Sequence, residues 1–159
     1  MKLIKENYLF LILILSLFFL DRFTKMKAIN ILEDSNYLFI NDYLNLNLVF
    51  NTGIGFGLFS LNAGIFYNII SFLILFIILI LVFIMIKSKI REKIFFSFII
   101  GGAIGNLYDR IIFKAVPDFI DFHIEDFHWF IFNIADIFIS FGIIFMILNE
   151  IIFKTKNEN

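Results

Sequence analysis

The residues of this sequence that could do acid–base chemistry are its aspartates. Asn133 and Asp136 stand one helical turn apart inside the apolar run WFIFNIADIFISFGIIFMIL. An ionised carboxylate in a membrane-buried segment is costly and is by default a functional residue, so we predict that Asp136 is functional. Two aspartates that face each other share a proton, and such a pair can deprotonate a water and protonate a leaving amine. This chemistry requires no cofactor, and we predict none.

A partner for Asp136 is available in the motif VPDFIDF, which offers Asp118 and Asp121. Pro117 lacks an N–H and restricts Val116, so the motif begins or bends a segment instead of lying inside a helix. One of the two carboxylates can be catalytic while the other is merely solvated. The chemistry of the residues does not choose between them.

The motif GGAIGNLYDR combines small residues with a polar cluster. Gly101 and Gly105 form a face that allows another helix to approach closely. Asn106, Asp109 and Arg110 follow at spacings that place them on one face of a helix. Asp109 then either belongs to an ion network with Arg110 that fixes the helix end or has a catalytic role. Arg110 could instead hold an anionic lipid headgroup or a substrate carbonyl.

Two further polar groups have simpler interpretations. Asp21 and Lys25 of DRFTK are one turn apart, and a salt bridge at a helix end explains them. The candidate metal ligands in HIEDFHWF are His123, Glu125, Asp126 and His128. Nothing in the pattern places these residues on one face, so we predict no metal site. The chain has no cysteine, which excludes thiolate metal sites and cysteine nucleophiles.

The elements that must position these residues are membrane helices. Hydrophobic residues make up 61% of the 159 residues, well above the roughly half that is typical of soluble proteins. We therefore predict a single integral membrane domain over residues 1–159. The four predicted spans cover about residues 7–25, 65–86, 94–113 and 129–150. The net charge of −1, without a basic stripe, argues against a nucleic-acid partner.

The distribution of basic residues predicts the orientation of the spans. Lysines and arginines concentrate near both termini and in residues 87–93, whereas the segments 26–63 and 114–128 carry one lysine each. The positive-inside rule then places both termini in the cytoplasm and the two weakly charged segments outside. Carboxylates from distant parts of the chain consequently gather at the outer membrane face. They are Asp21, Asp109 and Asp136 near span ends and Asp118 in the adjoining loop.

The outer segment 26–63 contains a predicted strand. In LNLNLVFN, residues 44–51, apolar and polar residues alternate, and this period of two is typical of a half-buried strand. On one side we expect Leu44, Leu46, Leu48 and Phe50, and on the other Asn45, Asn47 and Asn51. The predicted fold is a mainly α membrane protein with four transmembrane helices and a small extracytoplasmic β-sheet lying on the membrane surface.

Five motifs follow one another along the chain: DRFTK, NTGIGFGLF, GGAIGNLYDR, VPDFIDF and FNIAD. In order and spacing they resemble the bacterial lipoprotein signal peptidases (signal peptidase II), and the resemblance covers almost the whole chain. It implies a multi-pass aspartyl endopeptidase of the bacterial inner membrane, in contact with membrane lipids. Such an enzyme cuts prolipoproteins on the N-terminal side of a diacylglyceryl-modified cysteine and is inhibited by the cyclic peptide globomycin.

Carried over by position, the resemblance implies that Asp118 and Asp136 form a catalytic dyad near the extracytoplasmic face, which favours Asp118 over Asp121. The residues that it implies in substrate binding are Asn51, Gly53, Asn106, Arg110 and Asn133. Asp21 and Asp109 match supporting positions. The chain departs from the family at Pro117, where a second valine is usual, so one possible hydrogen bond to the substrate is missing.

Two other classes of function are compatible with aspartates in a membrane. A small proton-coupled transporter would need polar residues along a path through the bilayer. Here they concentrate at the outer ends, and the second span has little beyond Asn68 and Ser71. A non-catalytic assembly factor would use the glycine face and NLYDR for helix packing. Neither explains two separate aspartate motifs beside one interface as well as a protease does.

Overall fold

The computed structural model describes residues 2–52 and 63–157, which form helices and a small sheet. In chain order the elements are α1 (Lys2–Ile31), β1 (Tyr37–Asn41), β2 (Leu44–Asn51), α2 (Ala63–Lys87), α3 (Ile90–Phe113), β3 (Val116–Ile124), β4 (Phe127–His128) and α4 (Ile134–Asn157). Gly53, a predicted substrate-binding residue, lies outside the described residues.

Three helices in the described part of the chain are long and apolar enough to cross a membrane. They are Tyr67–Lys87, Ile90–Phe113 and Ile134–Ile152. Their outward surfaces fit a lipid environment, since α2 leaves Phe72 at 71% and Phe83 at 61% exposure. The first predicted span, residues 7–25, lies within α1, whose C-terminal half carries Asp21, Arg22 and Lys25.

The start of the last helix differs from the prediction. α4 begins at Ile134 instead of near residue 129. The preceding residues belong to the sheet, because Phe127–His128 forms β4 and Phe132 makes a bridge to Ile120. The unbroken apolar run hides this change from extended chain to helix, and it places Asn133 just before the helix instead of inside it.

α3 is the central helix and packs against α1, α2 and α4. A Cβ on Gly101 would lie 2.9 Å from the Cβ of Leu17, and one on Gly105 would meet the carboxylate of Asp21. The predicted close approach of another helix at these two glycines is therefore confirmed, and that helix is α1. On its other side, Gly102 lies against the backbone of Ala135 at the start of α4, where an added Cβ would be 2.5 Å from the carbonyl oxygen.

The sheet is antiparallel with strand order β1-β2-β3-β4. β2 coincides with the predicted strand at residues 44–51. The predicted alternation along it is wrong beyond Leu46, because the pairing with β3 shifts by one residue between Leu46 and Val49. Such a bulge moves every later side chain to the other face. Asn51 therefore lies on the face of Leu46, and Asn45 lies on the opposite face.

Candidate active site

β3 separates the two aspartates of VPDFIDF onto opposite faces of the sheet. Side chains alternate along a strand, and Asp118 and Asp121 are an odd number of residues apart. Asp118 contacts Asn133, whereas Asp121 contacts His128. Both carboxylates are buried. Of the two, Asp118 is the one on the side of FNIAD.

Asn133 links Asp118 to Asp136. Its side-chain Nδ2 donates to Asp118 Oδ1 at 2.6 Å. Its Oδ1 accepts from the backbone N–H of Asp136 at 3.1 Å, and its own backbone N–H donates to Asp136 Oδ2 at 3.1 Å. The last two bonds form a reciprocal capping box at the start of α4. Asp118 and Asp136, hereafter the aspartate pair, are thereby held by one fully buried amide.

The second donor to Asp118 comes from β2. Asn51 Nδ2 donates to Asp118 Oδ2 at 2.9 Å, so each carboxylate oxygen has an amide donor. The bulge in β2 makes this contact possible. Without the extra residue, Asn51 would share a face with Asn45 and point away from Asp118.

Asn106 of α3 makes the corresponding contact with Asp136. Its Nδ2 donates to Asp136 Oδ1 at 2.8 Å, while its Oδ1 accepts from Lys25 Nζ at 2.8 Å. A lysine ammonium has only donors, so Lys25 fixes which end of the Asn106 amide faces Asp136.

Lys25 is the centre of a buried ion cluster, and its side chain has no exposed area. Besides Asn106, it donates to Asp21 at 2.9 Å and to Asp109 at 2.7 Å. Arg22 is a second cation paired with Asp109. Two cations thus face two carboxylates, which is the arrangement that makes buried charges tolerable. The predicted Asp21–Lys25 salt bridge is confirmed.

The ion network around Asp109 differs in its partners from the one we predicted. Asp109 pairs with Lys25 and Arg22 of α1, whereas Arg110 donates to the backbone carbonyl of Asn106 at 3.1 Å. Lys25 and Arg22 were not among the predicted site residues. The available signal was the sequence DRFTK, which places two cations beside one acid in an apolar helix.

Asp21 acts on the start of α4 as well. Its Oδ1 accepts from the backbone N–H of Ala135 at 3.1 Å. This N–H belongs to the first turn of α4 and has no partner within the helix itself. The ion cluster and the aspartate pair are therefore connected at two points, Asn106 and the first turn of α4.

Arg110 faces a different space. It lines a cavity of about 440 Å³ between α2, α3 and α4, and Asn106 is the other polar side chain there. The remaining lining residues are Ile74, Ile77, Ile78, Leu81, Ile99, Ala103, Ile139, Ile143 and Met146. The Nε of Arg110 is buried without a hydrogen-bond partner among the described residues, so it is available to an acceptor that enters this cavity.

Two further clefts reach the aspartate pair. A cleft of about 340 Å³ meets Asp136 and is lined by Trp129, Phe130, Phe132, Ile137, Ser140, Phe141 and Ile144. Another of about 360 Å³ meets Asp118 and is lined by Val49, Phe50, Asn51, Thr52 and Ile131. Each aspartate of the pair thus borders a cleft of its own.

Burial raises the pKa of Asp118 above its ordinary value of 3.8. The hydrogen bonds from Asn51 and Asn133 lower this pKa, because they stabilise the carboxylate, and the nearby charge of Asp136 raises it again. Burial is the largest of these effects, so Asp118 keeps its proton to a higher pH than an ordinary aspartate does.

The sequence pattern of HIEDFHWF does not place its histidines on one face, but the strand pairing does. His123 and His128 are paired across β3 and β4, and their rings stack at a centroid distance of 4.9 Å. Together with Asp121 they form a cluster on the sheet face opposite Asp118. Glu125 and Asp126, the other two candidates in this motif, lie in the exposed turn between the strands.

Comparison with known proteins gives a consistent result. The family model described as signal peptidase (SPase) II matches residues 13–152. The chain is 47% identical to the lipoprotein signal peptidase of Pelagibacter ubique (strain HTCC1062), over 98% of this chain and 95% of that protein. It is 35% identical to the lipoprotein signal peptidase of Thermodesulfovibrio yellowstonii, over 95% of this chain and 97% of that protein.

Solved structures agree with the fold. One described as a bacterial membrane enzyme, obtained by the in meso method, superposes with a TM-score of 0.75 at 27% identity and covers 94% of this chain and 91% of its own. A second with the same description has a TM-score of 0.72 at 28% identity, with 88% and 90% covered.

Proposed function

Because the chain belongs to the signal peptidase II family, we propose that it is an aspartic endopeptidase that removes signal peptides from lipid-modified prolipoproteins. The proposed cut lies N-terminal to the diacylglyceryl-modified cysteine. The observation that carries the proposal is the link through Asn133, which holds the buried Asp118 of β3 and the partly buried Asp136 of α4 around one amide.

The proposed mechanism divides the work between the two carboxylates. Asp118 holds the shared proton, in keeping with its raised pKa, and Asp136 takes a proton from the attacking water. The water adds to the scissile carbonyl carbon, and Asp118 protonates the amine as the C–N bond breaks. The two products are a free signal peptide and a lipoprotein with a new N-terminus. Asn51, Asn106 and Asn133 keep the carboxylates in place for this exchange.

The proposed substrate fits the surroundings of the aspartate pair. Apart from Arg110 and Asn106, the residues that line the cavity at Arg110 are aliphatic. Such a cavity suits an acyl chain, or an apolar peptide side chain, that has a polar group at one end. An ester or peptide carbonyl placed there would accept from the free Nε of Arg110. We propose that lipid tails reach this cavity laterally from the bilayer.

The proposed membrane arrangement has four spans, with α1 as the first. Asp21 and Asp109 lie toward the C-terminal ends of α1 and α3, and Asp136 lies at the N-terminal end of α4, so they share one end of the bundle with the sheet. Lys87, Lys89 and Arg91 lie at the opposite end. The positive-inside rule makes the lysine-rich end cytoplasmic and the sheet extracytoplasmic, in a bacterial inner membrane.

A proton relay through the bilayer is less compatible with the packing. The buried Lys93 bonds Asn7 at the basic end, far along α3 from Asn106. Between the two ends lies an apolar core cluster that includes Ile14, Ile78 and Ile100. A transporter would need polar groups or water in this layer.

The proposed function is tested by incubating the purified full-length protein with a lipidated prolipoprotein and with the same precursor lacking the lipid. We expect cleavage of the lipidated form, inhibition by globomycin and little cleavage of the unlipidated form. Equal cleavage of both precursors would contradict the proposed lipid requirement, and no cleavage of either would contradict the peptidase function.

A further inference from the structure

We propose that the sheet carries a second site, a zinc-type metal site formed by Asp121, His123 and His128. One ligand atom from each of these residues lies within 4.8 Å of the other two. The site is independent of the aspartate pair, because Asp118 and Asp121 are on opposite faces of β3. The proposed peptidase function does not require it.

The strand geometry explains why the three side chains meet. Asp121 and His123 are two residues apart on β3 and therefore share a face. His128 is the cross-strand partner of His123, and the turn between their strands is short, with Glu125 in the left-handed region at φ 51°. The two rings stack at a centroid distance of 4.9 Å with an interplanar angle of 14°, and rotation of the exposed His128 ring would turn a nitrogen of each ring toward one ion.

The three residues also supply the right chemistry for such an ion. His128 Nδ1 lies 2.9 Å from Asp121 Oδ1 and 3.0 Å from Oδ2, so carboxylate and imidazole already converge. Two imidazoles and one carboxylate suit zinc and its neighbours, whereas calcium and magnesium prefer oxygen ligands alone. A water would complete a tetrahedral site.

His128 is the ligand that can move to admit the ion and to shorten the distances between the ligand atoms. Ligands of a tetrahedral zinc stand about 3.4 Å apart, as follows from bonds of ~2.0–2.1 Å. The side chain of His128 is 51% exposed, so it can move the remaining distance and admit the ion, while Asp121 is only 3% exposed and stays fixed.

An independent observation points to the same place. Asn45 on β2 is the cross-strand partner of Asp121, and its Oδ1 is buried without a hydrogen-bond partner among the described residues. Its amide lies 3.4 Å from His123 Nδ1. A half-turn of the amide would bring the free oxygen to this ring nitrogen, where it can accept the N–H and orient His123. Histidines that bind metals almost always donate their second N–H to such an acceptor.

The expected effect of the metal is structural. It would join β4 to β3, and Asn45 extends the connection to β2. The ion would therefore stabilise the strand that carries Asp118 without taking part in the cleavage.

The test is titration of the purified, tag-free full-length protein with zinc chloride in detergent, followed by calorimetry, and with cobalt chloride, followed by visible absorption. We expect one zinc ion per chain and the intense d–d bands of tetrahedral cobalt. His128→Ala and His123→Ala should weaken zinc binding at least about 10²-fold, because loss of a ligand costs no less than loss of an outer partner. Asp126→Asn, in the adjacent exposed turn, should bind like the original protein.

Melting temperatures provide a second readout. With EDTA, His128→Ala should melt below the original protein, because the buried Asp121 loses its hydrogen bond to His128. With zinc, the melting temperature of the original protein should rise and that of His128→Ala should not. Zinc binding that is absent, or equal in the original protein and in both histidine variants, would overturn the proposal.

Discussion

Asn133 donates its side-chain amide to Asp118 across 2.6 Å, and this contact joins β3 to the start of α4. The same side chain caps α4 through its oxygen, which accepts from the N–H of Asp136 at 3.1 Å. An amide presents a donor and an acceptor in one planar group, whereas a carboxylate has only acceptors. The relative position of the two aspartates therefore depends on an asparagine at this residue.

The two roles of Asn133 can be separated by substitution. Asn133→Ser keeps a good cap for α4 but is too short to reach Asp118, so we expect near-normal thermal stability and about 10²-fold slower cleavage. Asn133→Ala loses both contacts and should in addition cost about 1 kcal/mol of stability. Cleavage rates and melting temperatures of the two variants measure the roles. Normal cleavage by a folded Asn133→Ser variant would show that the Asp118 contact is dispensable.

Removal of the buried Lys25 charge should destabilise the protein strongly. In Lys25→Met, Asp21 and Asp109 lose a shared cation inside the bundle, and breaking such a network typically costs about 3–5 kcal/mol. Asn106 also loses the contact that orients it toward Asp136, so cleavage should fall as well. The control is Lys27→Met, on an exposed part of the same helix. Equal unfolding midpoints for the two variants in detergent would contradict the role given to Lys25.

The raised pKa of Asp118 predicts a pH dependence of stability. A buried carboxyl with a raised pKa binds its proton more tightly in the folded than in the unfolded state, so its contribution is fully present below about 3.8 and is lost as pH rises through the folded pKa. The melting temperature of the original protein, relative to that of Asp118→Asn, should therefore decrease as pH rises from about 4.

The informative quantity is the slope of this difference in melting temperature with pH. In Asp118→Asn, loss of the hydrogen bonds from Asn51 and Asn133 to the carboxylate changes the difference by the same amount at every pH. A relative melting temperature that increases with pH over this range would mean that Asp118 is stabilised as a carboxylate in the folded protein.

The helices that carry the site could be predicted because their apolar runs are long, and β2 could be predicted because leucines alternate with asparagines over eight residues. The start of α4 could not. Residues 129–132 are as apolar as the helix that follows, and such a run does not distinguish extended chain from helix. The capping role of Asn133 was hidden for the same reason.

The side chains around the aspartate pair were harder to place. The alternation of apolar and polar residues in β2 does not reveal the bulge between Leu46 and Val49. The prediction from sequence therefore placed Asn51 on the wrong face of β2. In the sequence, a salt bridge with Asp21 one helical turn away is a sufficient explanation for Lys25, so no further partner was expected. Its contacts with Asn106 and Asp109 arise only because Gly101 and Gly105 bring α3 against α1.

The bulge in β2 can be tested through Asn51. Asn51→Ala removes the second amide donor to Asp118 and should slow cleavage by roughly 10-fold or more, since a misplaced catalytic group is costly. Asn47→Ala, within the bulge of the same strand and without a contact to Asp118, should cleave at close to the original rate. If the two variants lost activity equally, the position of Asn51 beside Asp118 would have no catalytic importance.

The most direct measurement is cleavage of a lipidated prolipoprotein by purified Asp118→Asn and Asp136→Asn, compared with Asp121→Asn and Asp126→Asn in a buffer that contains EDTA. We expect the first two variants to remain folded in detergent and to lose at least about 10³-fold in cleavage rate, while the last two cleave substantially. Full activity in a folded Asp118→Asn or Asp136→Asn variant would contradict the dyad. Loss of activity in Asp121→Asn but not in Asp118→Asn would assign the catalytic role to the other face of β3.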